Sequence, residues 1–126
     1  STKVYVELAI EHIKYYYQDG INVSDIAGHL GISRAYLNCA FQKELGMSIQ
    51  KFLIDFRMHK AANLLVSTPD AIKEISSSIG YEDQLNFSKA FKKKFGMSPK
   101  NYRLHKATTI LYSEKQLTDH IEDFVV

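Results

Sequence analysis

ISSSIGYEDQLNFSKAFKKKFGMSPKNY is the stretch from Ile75 to Tyr102. It decides the fold, because a related stretch occurs nearer the N-terminus of the same chain. That earlier stretch is IAGHLGISRAYLNCAFQKELGMSIQKF, from Ile26 to Phe52. The matching residues lie 49 positions apart as far as the first glycine and 50 positions apart after it. They are Ile26, Leu30, Gly31, Leu37, Phe41, Lys43, Gly46, Met47 and Ser48, which pair with Ile75, Ile79, Gly80, Phe87, Phe91, Lys93, Gly96, Met97 and Ser98. The chain therefore contains an internal repeat, and the second copy has one additional residue in the turn or at the start of the helix that follows.

Each copy predicts a short helix, a tight turn and a longer helix. The turn needs its glycine because a left-handed backbone is costly for a residue with a side chain. In the longer helix, two large apolar residues four positions apart form the buried edge. These residues are Leu37 and Phe41 in the first copy and Phe87 and Phe91 in the second. This is the helix-turn-helix pattern, whose second helix fits the major groove of double-stranded DNA.

A helical solenoid is the competing interpretation of a repeat of this kind. Solenoids bury a continuous core only when three or more units stack, and this chain has two. The two copies also share the continuation Gly-Met-Ser, and one long predicted helix joins them. The pattern therefore favours a DNA-binding protein over a solenoid.

Helical spacing of apolar residues runs through almost the whole chain and predicts an all-α fold. We expect a first helix-turn-helix subdomain at residues 1–50, a linker helix at 48–67, a second subdomain at 70–106 and an acidic helical extension at 107–126. The recognition helices are expected at about 33–45 and 83–95. In the extension, Ser113 and Gln116 have the spacing of a capping box.

Polar side chains are expected to cap the predicted helices by accepting backbone N–H groups of the first turn. The expected caps are Ser24, Ser33, Ser48, Asp70 and Ser98. The expected inner faces comprise Leu37, Ala40, Phe41 and Leu45 on the first recognition helix, and Ile49, Phe52, Leu53, Phe56, Ala61, Leu64 and Leu65 on the linker helix. These residues are the predicted core around the linker.

The charge of the chain is small overall but unevenly distributed. The net charge is +2, yet seven basic and no acidic residues occur between Gln84 and Lys106. Four acidic residues and one basic residue follow Lys106, and without them the chain has 15 basic and 10 acidic residues. A local positive patch on a nearly neutral chain indicates a polyanionic partner. For charge alone, a solvated helix face is the alternative interpretation.

The second copy has a more detailed signature: Ile75-x4-Gly80-Tyr81, then Phe87-Ser88-x2-Phe91-Lys92-x2-Phe95-Gly96-x-Ser98-Pro99-x2-Tyr102-Arg103. With this signature the chain, from about Val4 to Lys106, resembles the C-terminal DNA-binding domain of AraC/XylS-family transcriptional regulators. The resemblance implies sequence-specific binding of double-stranded DNA for transcription regulation. In that family, the linker helix joins two units that bind successive major-groove segments of a promoter site. The resemblance also implies a bacterial, cytoplasmic regulator, with RNA polymerase or another regulator as a further partner, and an N-terminal sensor or dimerisation domain outside this sequence.

On the second recognition helix, the resemblance places the base contacts at Gln84, Leu85, Ser88 and Lys89. The residue types suit this role, because Gln can bond bidentately to adenine, Lys can donate to guanine, and Leu can touch a thymine methyl group. Successive residues of a helix cannot all face the groove floor. The phosphate contacts are therefore expected from Lys92, Lys93 and Lys94.

On the first recognition helix, the same positions give Ala35, Asn38 and Cys39 as the groove-floor residues. Of these, Asn38 is the only good hydrogen-bonding group, so the first unit is expected to discriminate bases weakly. Phosphate contacts are expected from the flanking residues Ser33, Arg34, Gln42 and Lys43.

Other classes of protein find little support. The single cysteine, Cys39, excludes an internal disulfide, and the five histidines share no metal-ligand spacing and are expected at the surface or its edge. The longest apolar stretch, around Ala61 to Val66, is too short to span a bilayer. We therefore expect no enzyme, metal, cofactor or membrane partner.

A protein-interaction module is the second hypothesis, because residues 113–126 are amphipathic and acidic, unlike the rest of the chain. In that hypothesis the segment docks another chain. Alternatively, it caps its own domain or neutralises the basic face when DNA is absent.

Overall fold

The computed structural model describes residues 1–107 and Lys115, and all regular structure in this part of the chain is helical. The helices are α1 (Thr2–Tyr16), α2 (Val23–Leu30), α3 (Arg34–Leu45), α4 (Ile49–Ser67), α5 (Ile72–Ser78), α6 (Gln84–Phe95) and α7 (described over 99–107), and a 3-10 turn at Tyr17–Asp19 follows α1. The predicted all-α fold is confirmed. Ser113 and Gln116, where the sequence predicts a capping box, lie outside the described residues.

The turn before each recognition helix has the predicted left-handed glycine. Gly31 has a φ of 70° and Gly80 a φ of 97°. The helix α3 begins three residues after Gly31, whereas α6 begins four residues after Gly80. Because both recognition helices have 12 residues, the additional residue of the second copy lies in the turn.

Backbone hydrogen bonds also repeat between the two copies. The residue after each left-handed glycine donates its N–H back into the short helix, and the glycine that ends each recognition helix donates back into the last turn. These bonds run from Ile32 to Ala27 (3.1 Å), Tyr81 to Ser76 (3.0 Å), Gly46 to Gln42 (3.0 Å) and Gly96 to Lys92 (2.7 Å). They satisfy carbonyl groups that the end of a helix leaves without an intrahelical partner.

The buried side chains form two clusters, and α4 contributes to both. The first cluster comprises Val6, Ala9, Ile13, Val23, Ile26, Ala27, Leu37, Ala40, Phe41, Ile49 and Leu53. The second comprises Met58, Ala61, Ala62, Leu65, Ile75, Ile79, Phe87 and Phe91. Each fully buried Leu, Ile or Phe side chain contributes about 1.5–3 kcal/mol to stability. The linker helix thus joins two small cores, each of which holds one recognition helix by its inner edge.

The prediction of Ser24 as the cap of α2 is wrong, because a capping box places the start of the helix one residue earlier. The side chain of Asn22 accepts the N–H of Asp25 through Oδ1, and Oδ2 of Asp25 accepts the N–H of Asn22, both at 2.9 Å. This reciprocal pair satisfies two N–H groups at once. The helix therefore begins at Val23, and Ser24 lies in its first turn.

The prediction of Asp70 as the cap of α5 is also wrong. The helix begins at Ile72, and the residue before it, Ala71, makes no side-chain capping bond. The N–H of Asp70 donates to Oγ1 of Thr68 at 3.3 Å, so Asp70 belongs to the turn that ends α4. The caps predicted at Ser33, Ser48 and Ser98 are confirmed, since their hydroxyl oxygens accept the N–H groups of Tyr36 (3.0 Å), Lys51 (3.0 Å) and Asn101 (3.1 Å).

The burial of one residue differs from the prediction, and a second buried residue was not predicted. Leu45, which the sequence places on the inner face, is 41% exposed; it is the last residue of α3, directly before the left-handed Gly46. Arg57 is only 8% exposed, and the sequence did not single it out. It lies four positions from both Leu53 and Ala61, so the periodicity of α4 contained the signal for its burial.

Candidate nucleic-acid interface

The second recognition helix, α6, is held by one edge and exposes the opposite side. Phe87 and Phe91 have no exposed surface, and both rings lie in the second core cluster. The side of α6 that faces away from these rings presents the residues expected at bases and phosphates. Of these, Gln84, Leu85, Lys89, Lys92 and Lys93 are exposed and Ser88 is half-buried.

An exposed leucine stands at the start of this surface. Leu85 is 61% exposed, and its N–H donates to Oδ1 of Asp83 at 2.8 Å, which caps the helix. The cap fixes the first turn of α6 and therefore the direction in which Leu85 leaves the helix. An apolar side chain in this position offers a contact for a methyl group of the ligand.

Lys94 forms an ion pair within the domain. Its Nζ lies 3.4 Å from Oδ2 of Asp55 on α4, and Nζ of Lys51 lies 3.1 Å from the same oxygen. Partial burial acts to raise the pKa of Asp55, but hydrogen bonds and charge from both lysines outweigh it, and the pKa lies below its ordinary value. Lys94 therefore joins α6 to α4, although it is exposed like Lys92 and Lys93.

The first recognition helix, α3, is held in the same manner, since Leu37 and Phe41 have no exposed surface. On its outer side, Ser33, Arg34, Ala35, Cys39, Gln42 and Lys43 are exposed. Glu44, near the C-terminal end of α3, lies on the side that meets α1, and its Oε1 accepts a hydrogen bond from the Thr2 hydroxyl at 2.7 Å. The charge on α3 is therefore mixed, whereas the last turn of α6 contains three lysines and no acid.

Asn38 makes a contact that the sequence did not predict. Its Oδ1 accepts the backbone N–H of Ile49 at 3.2 Å, and the side chain is half-buried. Ile49 is the first residue of α4, where the N–H has no partner within the helix. Since a backbone N–H can only donate, the carbonyl oxygen of Asn38 must face it, and the donor Nδ2 is left on the other branch of the amide.

The outer sides of the two recognition helices border grooves that meet at the first turn of α4. Arg34, Ala35 and Asn38 line the groove beside α3, and Lys93 and Lys94 line the groove beside α6. Ser48 and Gln50, from the start of α4, line both grooves. The start of the linker helix therefore lies between the two candidate DNA-contacting surfaces.

Other kinds of site have little support in the described residues. Within residues 1–107, no group of three or more His, Cys, Asp or Glu residues could hold a metal ion. The rings of His12 and His29 stack at 4.3 Å, which joins α1 to α2. In this same part of the chain, no helix has the length and apolar character needed to cross a membrane.

Two cores, each holding a short helix, a glycine turn and an outward-facing second helix, define a DNA-binding protein of the helix-turn-helix class. A family model described as a helix-turn-helix domain matches residues 26–105. The Msm operon regulatory protein of Streptococcus mutans is 42% identical over 103 residues, which cover 82% of this chain and 37% of that protein.

Two solved structures extend the comparison. The C-terminal domain of AraT, a response regulator from Geobacillus stearothermophilus, has a TM-score of 0.78 and 38% identity, and the match covers 80% of this chain and 84% of that one. The DNA-binding domain of AdpA, solved in complex with a target DNA, has a TM-score of 0.73 over 86% of this chain and 94% of that one. Its identity is 22%, so this second likeness shows the fold alone.

The chain belongs to the AraC-type helix-turn-helix family, as the sequence resemblance implied. Members of this family are DNA-binding transcription regulators and are not enzymes. The chain spans 35–37% of the length of the first three curated relatives that it matches.

Proposed function

We propose that this domain binds a promoter site by inserting α3 and α6 into successive major-groove segments of double-stranded DNA. The observation that carries the proposal is that each recognition helix is buried along one side and exposed along the other. Leu37, Phe41, Phe87 and Phe91 are fully buried, while the opposite sides of the same helices are exposed. A helix held in this way can enter a major groove without disturbing the core, because that groove is wide enough for an α-helix.

The second unit supplies most of the base discrimination. In this proposal Gln84, Leu85, Ser88 and Lys89 contact bases, and Lys92 and Lys93 contact phosphates. The exposure of Leu85 supports contact with a thymine methyl group, and the long side chain of Lys89 can donate to guanine. The lysines of the last turn would bind the phosphate backbone without regard to sequence.

The first unit extends the DNA site and fixes the position of the domain along it. In this proposal Ala35, Asn38 and Cys39 face the groove floor, and Ser33, Arg34, Gln42 and Lys43 contact phosphates. Because Oδ1 of Asn38 is bonded to Ile49, the side chain can offer only Nδ2 donors to DNA. It would therefore favour acceptors such as guanine O6 or N7 or thymine O4, and it would not form the bidentate pair with adenine that a whole amide can form.

The same proposal includes the action of the domain in the cytoplasm and the division of the chain into four segments. These are the first subdomain (1–50), the linker helix (48–67), the second subdomain (70–106) and the acidic extension (107–126). The length of the curated relatives supports a further sensor or dimerisation domain in the intact regulator. RNA polymerase or another regulator would then be the second macromolecular partner at the promoter.

Selection of bound sequences from random duplexes tests the proposal. We expect an asymmetric site with two conserved blocks, of which the block contacted by α6 is the more specific. The variant Lys89→Ala, selected in parallel, should relax one position within that block only. No enrichment of any sequence, or a single block that tolerates Lys89→Ala, would contradict the proposal.

A further inference from the structure

A buried guanidinium lies at the middle of the linker helix, between the two cores. Arg57 is the one charged residue among the buried side chains of residues 1–107. It follows Leu53, which belongs to the first cluster, and directly precedes Met58, which belongs to the second. Burial of a charge is costly unless the group is paired or fully hydrogen-bonded, so the contacts of Arg57 indicate what it stabilises.

On one side, Arg57 binds backbone carbonyl groups of the first unit. Its Nε and Nη2 donate to the carbonyl oxygen of Tyr17 at 3.3 and 3.1 Å, and Nη2 also donates to that of Ile21 at 2.8 Å. Both carbonyls lie in the segment that connects α1 to α2. Burial lowers the pKa of Arg57, while the neighbouring Tyr81 acts to raise it.

On the other side, Arg57 faces the turn of the second unit. Its guanidinium carbon lies 6.0 Å from the centre of the Tyr81 ring. The residue before Tyr81 is the left-handed Gly80, and a Cβ atom there would overlap the carbonyl oxygen of Tyr17. The same Cβ would lie 3.1 Å from both Nε and Nη2 of Arg57.

The equivalent glycine of the first copy has no such contacts. A Cβ atom on Gly31 would have no atom within 4 Å beyond its own neighbours, although its φ is also left-handed. Gly31 is therefore required by its turn alone. Gly80 is required by its turn and also by the approach of the second unit to Tyr17.

We propose that Arg57, Gly80 and the carbonyl group of Tyr17 form a junction that holds the two helix-turn-helix units at one separation and orientation. Arg57 is thereby a positioning residue for DNA binding, at a distance from the groove. Two linked binding modules gain affinity only when their geometry allows both to engage at once, and a rigid arrangement restricts binding to one spacing. The consequence for DNA rests on the proposed function, whereas the junction itself does not.

The junction can be tested without DNA by a distance measurement between spin labels. Cys39 is the single cysteine and is exposed on α3, and Asn86→Cys supplies a second exposed site on α6. We expect one narrow distance distribution in the doubly labelled parent and a broader or displaced one after Arg57→Met. An unchanged distribution would overturn the proposal.

Arg103→Met is the matched control. Arg103 donates Nε to the carbonyl of Leu65 at 2.9 Å and Nη2 to that of Thr68 at 3.2 Å, and all three residues lie on the second-unit side of Arg57. Its loss should destabilise the fold without changing the inter-unit distance. If Arg57→Met does not fold, Gly80→Ala replaces it, with Gly31→Ala as its control. Equal distributions for the two glycine variants would then contradict the junction.

The DNA arm uses the duplex selected by the parent protein, with zero, one or two base pairs inserted between the two blocks. The parent should lose about tenfold or more in affinity on insertion of two base pairs, and Arg57→Met should lose about threefold or less. Arg103→Met should keep the spacing dependence of the parent. If a footprint showed that the parent protects one block alone, the proposed function would be refuted. The spin-label distances would still show whether the junction holds the two units together.

Discussion

The side chain of Asn38 on α3 accepts the backbone N–H of Ile49, the first residue of α4, at 3.2 Å. This bond joins the candidate DNA-contacting face of the first unit to the start of the linker helix. It also fixes which atoms of the amide remain available, because the oxygen is engaged and only the NH₂ group is left to donate.

Two substitutions at this position separate its structural contribution from its binding contribution. Asn38→Asp keeps an acceptor for Ile49 but removes both donors and adds a negative charge, so the free energy of unfolding should change by less than about 0.5 kcal/mol. Binding should weaken by about 0.5–1.5 kcal/mol from the lost hydrogen bond, and further by charge repulsion. Asn38→Ala removes the bond to Ile49 and should destabilise the fold by about 0.5–1.5 kcal/mol. Urea unfolding and titration with the selected duplex measure the two effects. Unchanged binding by Asn38→Asp would exclude a DNA contact by this residue.

Lys89 and Lys93 provide a matched pair on α6, since both are exposed lysines on the same helix. Lys89→Ala should cost about 1–3 kcal/mol on the selected site and relax preference at one base pair. Lys93→Ala should weaken binding to all duplexes equally and reduce the slope of log K against log salt by about 1. Competition titrations at several salt concentrations compare the two variants. Equal losses on specific and random duplexes for Lys89→Ala would make it a phosphate contact.

The two turn glycines should differ in their tolerance of alanine. Both have positive φ, so either substitution introduces backbone strain of about 1–2 kcal/mol. Only at Gly80 does the new Cβ also meet the carbonyl of Tyr17 and the guanidinium of Arg57. Gly80→Ala should therefore cost more than about 3 kcal/mol, at the upper end of single substitutions. Thermal unfolding compares the stability of the two variants. Equal losses of stability would mean that the close approach at Gly80 does not affect the free energy of unfolding.

Mild acid should weaken the contact between α1 and α2. Partial burial, with the neighbouring His29, lowers the pKa of His12, and Asp25 only partly opposes this. The unfolded chain therefore binds a proton at His12 more readily than the folded chain does. The contribution of neutral His12 to stability is complete above a pH of about 6.5 and is lost as the pH falls below it. Urea unfolding between pH 7.5 and 5.5 should show a smaller decline for His12→Asn than for the parent. A parallel decline in both would remove His12 as the cause.

The glycines and the buried pairs of the repeat were predictable from the sequence because local backbone sterics and helical periodicity determine them. Gly31 and Gly80 have the expected conformation, and Leu37 and Phe87 are buried as expected. The cap of α2 was not predictable from the sequence, because several polar residues compete for that role within one turn. The capping box at Asn22 and Asp25 satisfies two N–H groups, which Ser24 cannot do.

The contacts that join separate parts of the chain were the least predictable. Arg57 has the spacing of an inward-facing residue, but its partners at Tyr17 and Ile21 are distant in sequence. The bond from Ile49 to Asn38 is equally invisible in a repeat pattern, because it depends on how α3 meets α4. Residue identity indicated which side chains could contact DNA, and the packing of the helices determined which of their atoms remain available.

Methylation protection of guanine N7 on the selected duplex tests the central claim most directly, since N7 lies in the major groove. Two protected segments about 10–10.5 base pairs apart are expected, one for α3 and one for α6. Lys89→Ala should weaken protection in one segment first. A single protected segment, or binding that leaves every guanine N7 accessible, would contradict insertion of two recognition helices into the major groove.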